Sequence, residues 1–270
     1  MSVAITVAPT GPIATKADNP TLPTQPEEIA DAVARAHSLG ASVAHIHLRD
    51  EQERPTADLL IARRTMGLIA ERCDILIQLS TGVGLSVPFE ERAKLVELRP
   101  RMATLNPCSM TFGKGTFLNP PDDVRRLAAR MQELGVKPEL EIYDHGHLDE
   151  VLRLRDEGLL MEPLQFSIVL GVVGGAAPTA QNLVSLVSRL PESAVWQIIA
   201  IGRSNLSLTA IGLAMGGNAR AGMEDTLYLG KGKPADGNDE LVARTVRLAR
   251  SLDRDISSVS ETVKSLSLPS

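Results

Sequence analysis

Two histidines at alternate positions of an apolar run, His45 and His47 in "ASVAHIHLRD" (41–50), are the residues best suited to chemistry. The run reads as a strand, in which side chains at i and i+2 face the same way, with Cα atoms about 6.5 Å apart. Two neutral imidazoles converging on one point can share a metal ion, at Zn–N distances of about 2.0–2.1 Å. A pair of core histidines bonded to their neighbours fits the same spacing equally well. A catalytic metal needs a third protein ligand, and "NARAGMEDTLYL" (218–229) offers Glu224 and Asp225. Two histidines and a carboxylate suit zinc best, with manganese, iron and nickel as other candidates. The competing reading pairs the two acids with Arg220 in a surface salt bridge worth little.

A second pair, His145 and His147 in "YDHGHLDE", straddles a glycine, which removes any assurance that both rings point one way. One is expected to line a pocket and the other to start a helix. His37 lies near the end of a helical stretch and is assigned no function. "QLSTGVG" (78–84) and "VLGVVGG" (169–175) set glycine-rich loops after strands, where backbone N–H groups bind anions or simply make tight turns. "ATLNPCSMTFG" (103–113) places Thr104 and Asn106 at alternate positions, followed by Cys108, which is read as structural.

Strand-like runs must position these groups. They are read at 4–8, 43–48, 75–79, 102–105, 139–143, 165–170, 196–201 and 219–222. Helical stretches lie between and after them, at 26–39, 57–72, 88–98, 121–134, 148–157, 181–189, 206–215 and 238–252. Several open on Pro or Asp and several stop at Gly. Eight successive βα units predict a single-domain (β/α)8 TIM barrel over 1–270, with a short last helix at about 256–268 packed outside it. A doubly wound sheet is the alternative, but G-x-G-x-x-G is missing between the first strand and first helix. Active sites of such barrels lie at the C-terminal strand ends. Here those ends carry Thr10, Gly11, His45, His47, Ser80, Thr81, Thr104, Asn106, Glu141, Arg203, Arg220, Glu224 and Asp225.

The 270 residues carry a net charge of −5 with no block of like charges, which argues against nucleic acid or an anionic membrane as partner. No apolar run is long enough to span a bilayer, and the N-terminus does not read as a signal peptide. Two cysteines without C-x-x-C spacing point to a reducing cytoplasm.

The ordered series TG, HIHLRD, QLSTG, RPRMATLN, NPP, KPELEIYDHG, FSIVLGV, IGR and ARAGMEDTLYLGKG resembles the β-keto acid cleavage enzyme family, whose founding activity is 3-keto-5-aminohexanoate cleavage. The similarity runs from about residue 4 to 265. It implies a zinc-dependent barrel, expected as a homotetramer, that converts a β-keto acid and acetyl-CoA to acetoacetate and a new acyl-CoA. By position, His45, His47 and Glu224 match the family's zinc ligands. Ser80, Thr104 and Asn106 match residues that hold the substrate carboxylate and keto group, and Arg220 and Asp225 match a pair implicated in proton transfer.

Three positions depart from the pattern. Where the amino-substrate enzyme has a glutamate receiving the ammonium, "PTGPIATK" has Ile13, an apolar side chain that cannot neutralise a cation. The expected substrate is therefore a neutral, apolar β-keto acid of short to medium chain. Val173 stands where proline is commoner, and Thr226 where asparagine is. A metal-dependent amidohydrolase, which also uses H-x-H in a barrel, is the alternative enzyme class; a CoA requirement separates the two. A non-catalytic barrel that keeps a ligand pocket is the third reading, and no sequence feature favours it.

Overall fold

The computed structural model describes residues 2–268 and closes the strands into a barrel. The barrel strands are β1 (Ile5–Val7), β2 (Val43–Ile46), β3 (Leu76–Leu79), β4 (Met102–Leu105), β7 (Lys137–Ile142), β8 (Gln165–Leu170), β9 (Val195–Ala200) and β10 (Asn218–Ala221). Two hairpins stand apart from it, β5 (Met110–Phe112) with β6 (Gly115–Phe117), and β11 (Tyr228–Gly230) with β12 (Lys233–Pro234). All barrel neighbours are parallel, and β1 closes the ring by pairing both β10 (Ile5 opposite Ala219) and β2 (Thr6 opposite Val43). The TIM-barrel expectation holds, and closure excludes the doubly wound sheet.

The helices are α1 (Pro26–Ser38), α2 (Leu59–Arg72), α3 (Phe89–Ala93), α4 (Pro121–Leu134), α5 (His145–Asp156), α6 (Ala180–Val187), α7 (Asn205–Ala214), α8 (Asn238–Ser251) and α9 (Val259–Ser265). Local chemistry sets their ends. The Asp58 carboxylate accepts the Leu60 and Ile61 N–H groups at the start of α2, and such a cap satisfies donors the helix leaves free. Helix α4 opens on Pro121 and stops at Gly135, whose φ of 69° suits a residue without a Cβ. The expected helix over 88–98 is a short α3 followed by a 3-10 turn, Lys94–Leu98. Helix α5 starts at His145, three residues earlier than expected, because Asp144 caps it through the His147 N–H.

Three layers fill the barrel interior. At the N-terminal strand ends, Val43, Leu76 and Met102 cluster with Leu266 and Leu268. The last helix thus brings Leu266 and Leu268 against the bottom of the barrel rather than against its side, while the segment leading to it still touches the helical layer, where Arg254 donates to Leu213 O and Gly217 O, each at 2.7 Å. A polar layer follows, and above it Met110, Phe117, Tyr143, Val169 and Ile199 pack together under the β5–β6 hairpin. That hairpin was not expected. It covers the C-terminal mouth, held where the Gly113 N–H donates to Val173 O at 3.0 Å.

Gly222 connects β10 to the acidic residues beyond it. Its φ is +157°, and a Cβ there would lie 2.0 Å from Ala8 O, so strand and loop approach as no other residue allows. Gly222→Ala should lower folding stability by about 1–3 kcal/mol in chemical denaturation, the usual cost of overpacking; an unchanged midpoint would show that the contact relaxes freely.

Candidate functional site

The strand geometry brings His45 and His47 together as their alternation requires, with ring centroids 5.2 Å apart. Strand β2 ends at Ile46, so His45 projects from the strand and His47 from the residue just beyond it. Glu224 completes the group. Its Oε2 lies 3.6 Å from His45 Nε2 and its Oε1 3.6 Å from His47 Nε2. Ligand atoms of these three residues all lie within 4.8 Å of one another. Two atoms bound to one tetrahedral zinc would be about 3.3 Å apart, so the set is close to the required size. His45 Nε2 and Glu224 Oε2 are buried without a hydrogen-bond partner, as expected of atoms that face a shared ligand. His45, Glu139 and Glu141 form a second group of metal-ligand type, overlapping the first through His45.

The electrostatics favour a cation here. Burial disfavours a charged His45, but the carboxylates of Glu224 and Glu139 outweigh it and raise the ring pKa to about 9. For His47 burial prevails and the pKa is lowered. Glu224 is held well below the usual carboxylate range despite burial, by Arg220 and the two imidazoles.

Arg220 anchors the acidic side of the site. Its Nε donates to Asp225 Oδ2 at 3.0 Å, its Nη2 to Asp225 Oδ1 and, at 2.9 Å, to Glu224 Oε1. Its Nη1 lies 3.7 Å from Glu141 Oε1. The pair with Asp225 is thus buried and bidentate, unlike the surface bridge considered from sequence. Burial pushes the Asp225 carboxyl up, opposed by Arg220.

A cavity of about 720 Å³ opens above these groups. Ile13, His47, Ser80, Glu141, Arg220 and Glu224 line it. Ile13 sits at the rim, 71% exposed. Thr104 and Asn106 are buried behind the wall. The Thr104 hydroxyl accepts the Thr81 N–H at 2.8 Å, whereas neither side-chain polar atom of Asn106 has a partner. Asp225 is likewise enclosed behind Arg220 and does not line the cavity.

Arg49, which sequence reading left without a role, fixes the segment that carries Ile13. Its Nε donates to Gly11 O at 3.1 Å and its Nη2 to Ala14 O at 2.9 Å. Gly11 in turn packs on Glu224, where a Cβ would lie 2.5 Å from the Glu224 Cγ.

Glu141 is the main residue that sequence reading placed at a strand end without assigning it chemistry. Tyr143 OH donates to its Oε2 at 3.2 Å. Burial first, and then Glu139, raise its pKa to about 7. The signal was present, because Glu139 and Glu141 alternate in "ELEIY" as the histidines do.

His145 and His147 do not line the cavity, which corrects the expectation for one of them. His145 begins α5 and bonds Ser185 Oγ at 3.1 Å, and the buried His147 stacks edge-on against Tyr143. Cys73 and Cys108 are free thiols. Burial, with Glu150 and Asp144, pushes the Cys108 thiol up to about 11, in keeping with a structural residue. Among the described residues no helix is long and apolar enough to cross a membrane.

Fold and site together define a parallel barrel with a group of two histidines and one carboxylate, and a buried Arg–Asp pair, at its mouth. The chain belongs to the β-keto acid cleavage enzyme family, whose model matches residues 2–268. It is 38% identical over 266 residues to a 3-keto-5-aminohexanoate cleavage enzyme of Fusobacterium nucleatum subsp. nucleatum, covering 98% of this chain and 97% of that one. A 3-oxoadipate:acetyl-CoA acetyltransferase of Cupriavidus necator is 32% identical over 271 residues, covering 98% and 95%. Among solved structures the apo structure of ObcA superposes with a TM-score of 0.81 at 22% identity, covering 92% of this chain and 66% of that one. At that identity the likeness concerns the fold.

Proposed function

We propose that this protein is a zinc-dependent enzyme that condenses a neutral, apolar β-keto acid with acetyl-CoA, yielding acetoacetate and a new acyl-CoA. The convergence of His45 Nε2 and His47 Nε2 on Glu224 carries this reading, with His47 and Glu224 lining the cavity. These three residues would hold the metal, which when bound acts as a Lewis acid that polarises the substrate keto group. Relatives named as acetyl-CoA transferases support the co-substrate.

The chain's own residues supply the rest. Ser80 and the unpartnered Asn106 amide, with Thr104 behind them, orient the substrate carboxylate and keto oxygen. A carboxylate base takes a proton from the methylene between the two carbonyl groups. Arg220 stabilises the developing oxyanion charge. The enolate carbon bonds to the acetyl carbon and expels CoA thiolate, which adds to the original keto carbon. Cleavage of the bond between that carbon and the former methylene releases the acyl-CoA, and the methylene carbon regains its proton as acetoacetate leaves.

Asp225 is our assignment for the base, from the match of the Arg220–Asp225 pair to the family, and it requires Arg220 to swing aside, because the carboxylate is enclosed behind that guanidinium. Glu141 is the second reading, favoured by its direct exposure to the cavity and its pKa of about 7. Exchange of the substrate methylene protons with D2O, followed by NMR, separates them. Asp225→Asn should slow exchange by 100-fold or more, in line with the weight of general base catalysis, while zinc content stays at the wild-type level. Full exchange in Asp225→Asn with loss in Glu141→Gln would transfer the role to Glu141.

Ile13 supports the neutral substrate, together with Lys114, which lines the same cavity and would repel a cation. The reading extends to a cytoplasmic homotetramer, as expected from composition and family. Mass spectrometry of zinc-loaded protein incubated with acetyl-CoA and a pool of β-keto acids should reveal acetoacetate and one neutral acyl-CoA. Ile13→Glu should shift the preferred substrate toward an ammonium-bearing keto acid by at least tenfold in kcat/KM. Turnover of a cationic keto acid by the wild type would discard the specificity assignment, and acyl-CoA formation from none would favour the hydrolase reading.

A further inference from the structure

Barrel interiors of this fold are ordinarily filled by layers of branched apolar side chains. Here the middle layer is polar and drawn from six strands: Thr6, His45, Gln78, Glu139, Ser167 and Gln197, none more than 3% exposed. The side chains form a connected arrangement. Thr6 Oγ1 donates to Gln197 Oε1 at 2.9 Å. Gln197 Nε2 donates to Glu139 Oε1 at 2.7 Å and to Ser167 Oγ at 2.8 Å, and Ser167 Oγ itself donates to Glu139 Oε1. Glu139 is thereby pinned through one oxygen. Its other oxygen has no hydrogen-bond partner and lies 3.6 Å from His45 Nδ1. The same Nδ1 lies 2.8 Å from Gln78 Oε1.

Both groups beside Nδ1 are acceptors, so Nδ1 carries the hydrogen and the neutral ring has its lone pair on Nε2, the atom facing Glu224. We propose that Gln78 and Glu139 are positioning residues for His45, locking its tautomer and ring angle so that Nε2 is aimed at a metal ion. Glu139 adds a buried negative charge that strengthens the imidazole as a donor. This rests on the reading of His45, His47 and Glu224 as the metal ligands. Core packing alone does not account for the layer. An apolar side chain of similar size would replace Gln78 without burying its Nε2, which has no partner, and unpartnered buried polar groups are costly.

The test measures zinc affinity of the full-length protein by competition with a chromogenic chelator, with the visible spectrum of the cobalt(II)-loaded protein as second readout. Loss of an outer partner of a metal-bound histidine typically weakens binding 10–100-fold. Gln78→Leu and Glu139→Gln should each do so and shift the cobalt bands. Thr6→Val, which removes only the far end of the arrangement, should leave affinity and spectrum at wild-type values. Glu139→Gln is nearly isosteric and carries the test alone if Gln78→Leu does not fold. Wild-type affinity and spectrum in Glu139→Gln would overturn the assignment while leaving the metal reading intact. An equal loss in Thr6→Val would overturn it in favour of general packing. A wild-type protein that retains no zinc would overturn the metal reading and this inference with it.

Discussion

Four carboxylates lie close together inside the barrel, Glu139 in its middle layer and Glu141, Glu224 and Asp225 nearer its mouth, with Arg220 the guanidinium that touches three of them. Charges removed from water are costly unless compensated, and one guanidinium does not balance four acids. Part of the difference is met by His45, whose pKa the carboxylates raise, and part by Glu141, whose pKa burial and then Glu139 raise to about 7, so that it gives up part of its charge at neutral pH. A divalent cation between His45, His47 and Glu224 would balance the rest, displacing the His45 proton as it binds. Acidic groups thus crowd beside two imidazole nitrogens, which is the arrangement the proposed metal site requires.

The remainder of the structure serves that arrangement. A rigid strand supplies His45, and the tight turn at Gly222 brings Glu224 and Asp225 back across the mouth. Arg49 ties the Gly11–Ala14 backbone down against Glu224. Arg92, buried between the rings of Phe89 and Phe117, donates to Thr81 O and Asn119 Oδ1. It thereby fastens the loop after β3 to the end of the covering hairpin. The cavity wall is set by buried cations bonded to backbone carbonyls, a device that holds loops without a regular ladder.

The parts of this architecture legible in sequence were those with local signatures. Alternating apolar runs, helix caps and glycine stops marked the barrel strands and most helices, and the H-x-H alternation marked the two histidines that converge with Glu224. The E-x-E alternation of Glu139 and Glu141 obeys the same rule but sits among buried apolar neighbours, where carboxylates ordinarily do not occur; its meaning emerges only when β2, β7 and β10 are brought together. The hairpin was missed because each strand has three residues, although Gly113–Lys114 between "MTF" and "GTF" is a turn signal. The placement of Leu266 and Leu268 beneath the barrel depends on contacts more than 160 residues distant along the chain, as with Met102, and has no local signature. Thr104 and Asn106 share a spacing, yet one hydroxyl is engaged by Thr81 and the other side chain is unpartnered; only tertiary structure separates them.

The proposed chemistry depends on a metal ion held by His45, His47 and Glu224, and anomalous X-ray scattering at the zinc edge from crystals of zinc-loaded protein would test that position. One peak per chain is predicted, at about 2.0–2.2 Å from His45 Nε2, His47 Nε2 and a Glu224 oxygen. A peak among His45, Glu139 and Glu141, or none in the barrel mouth, would contradict that position.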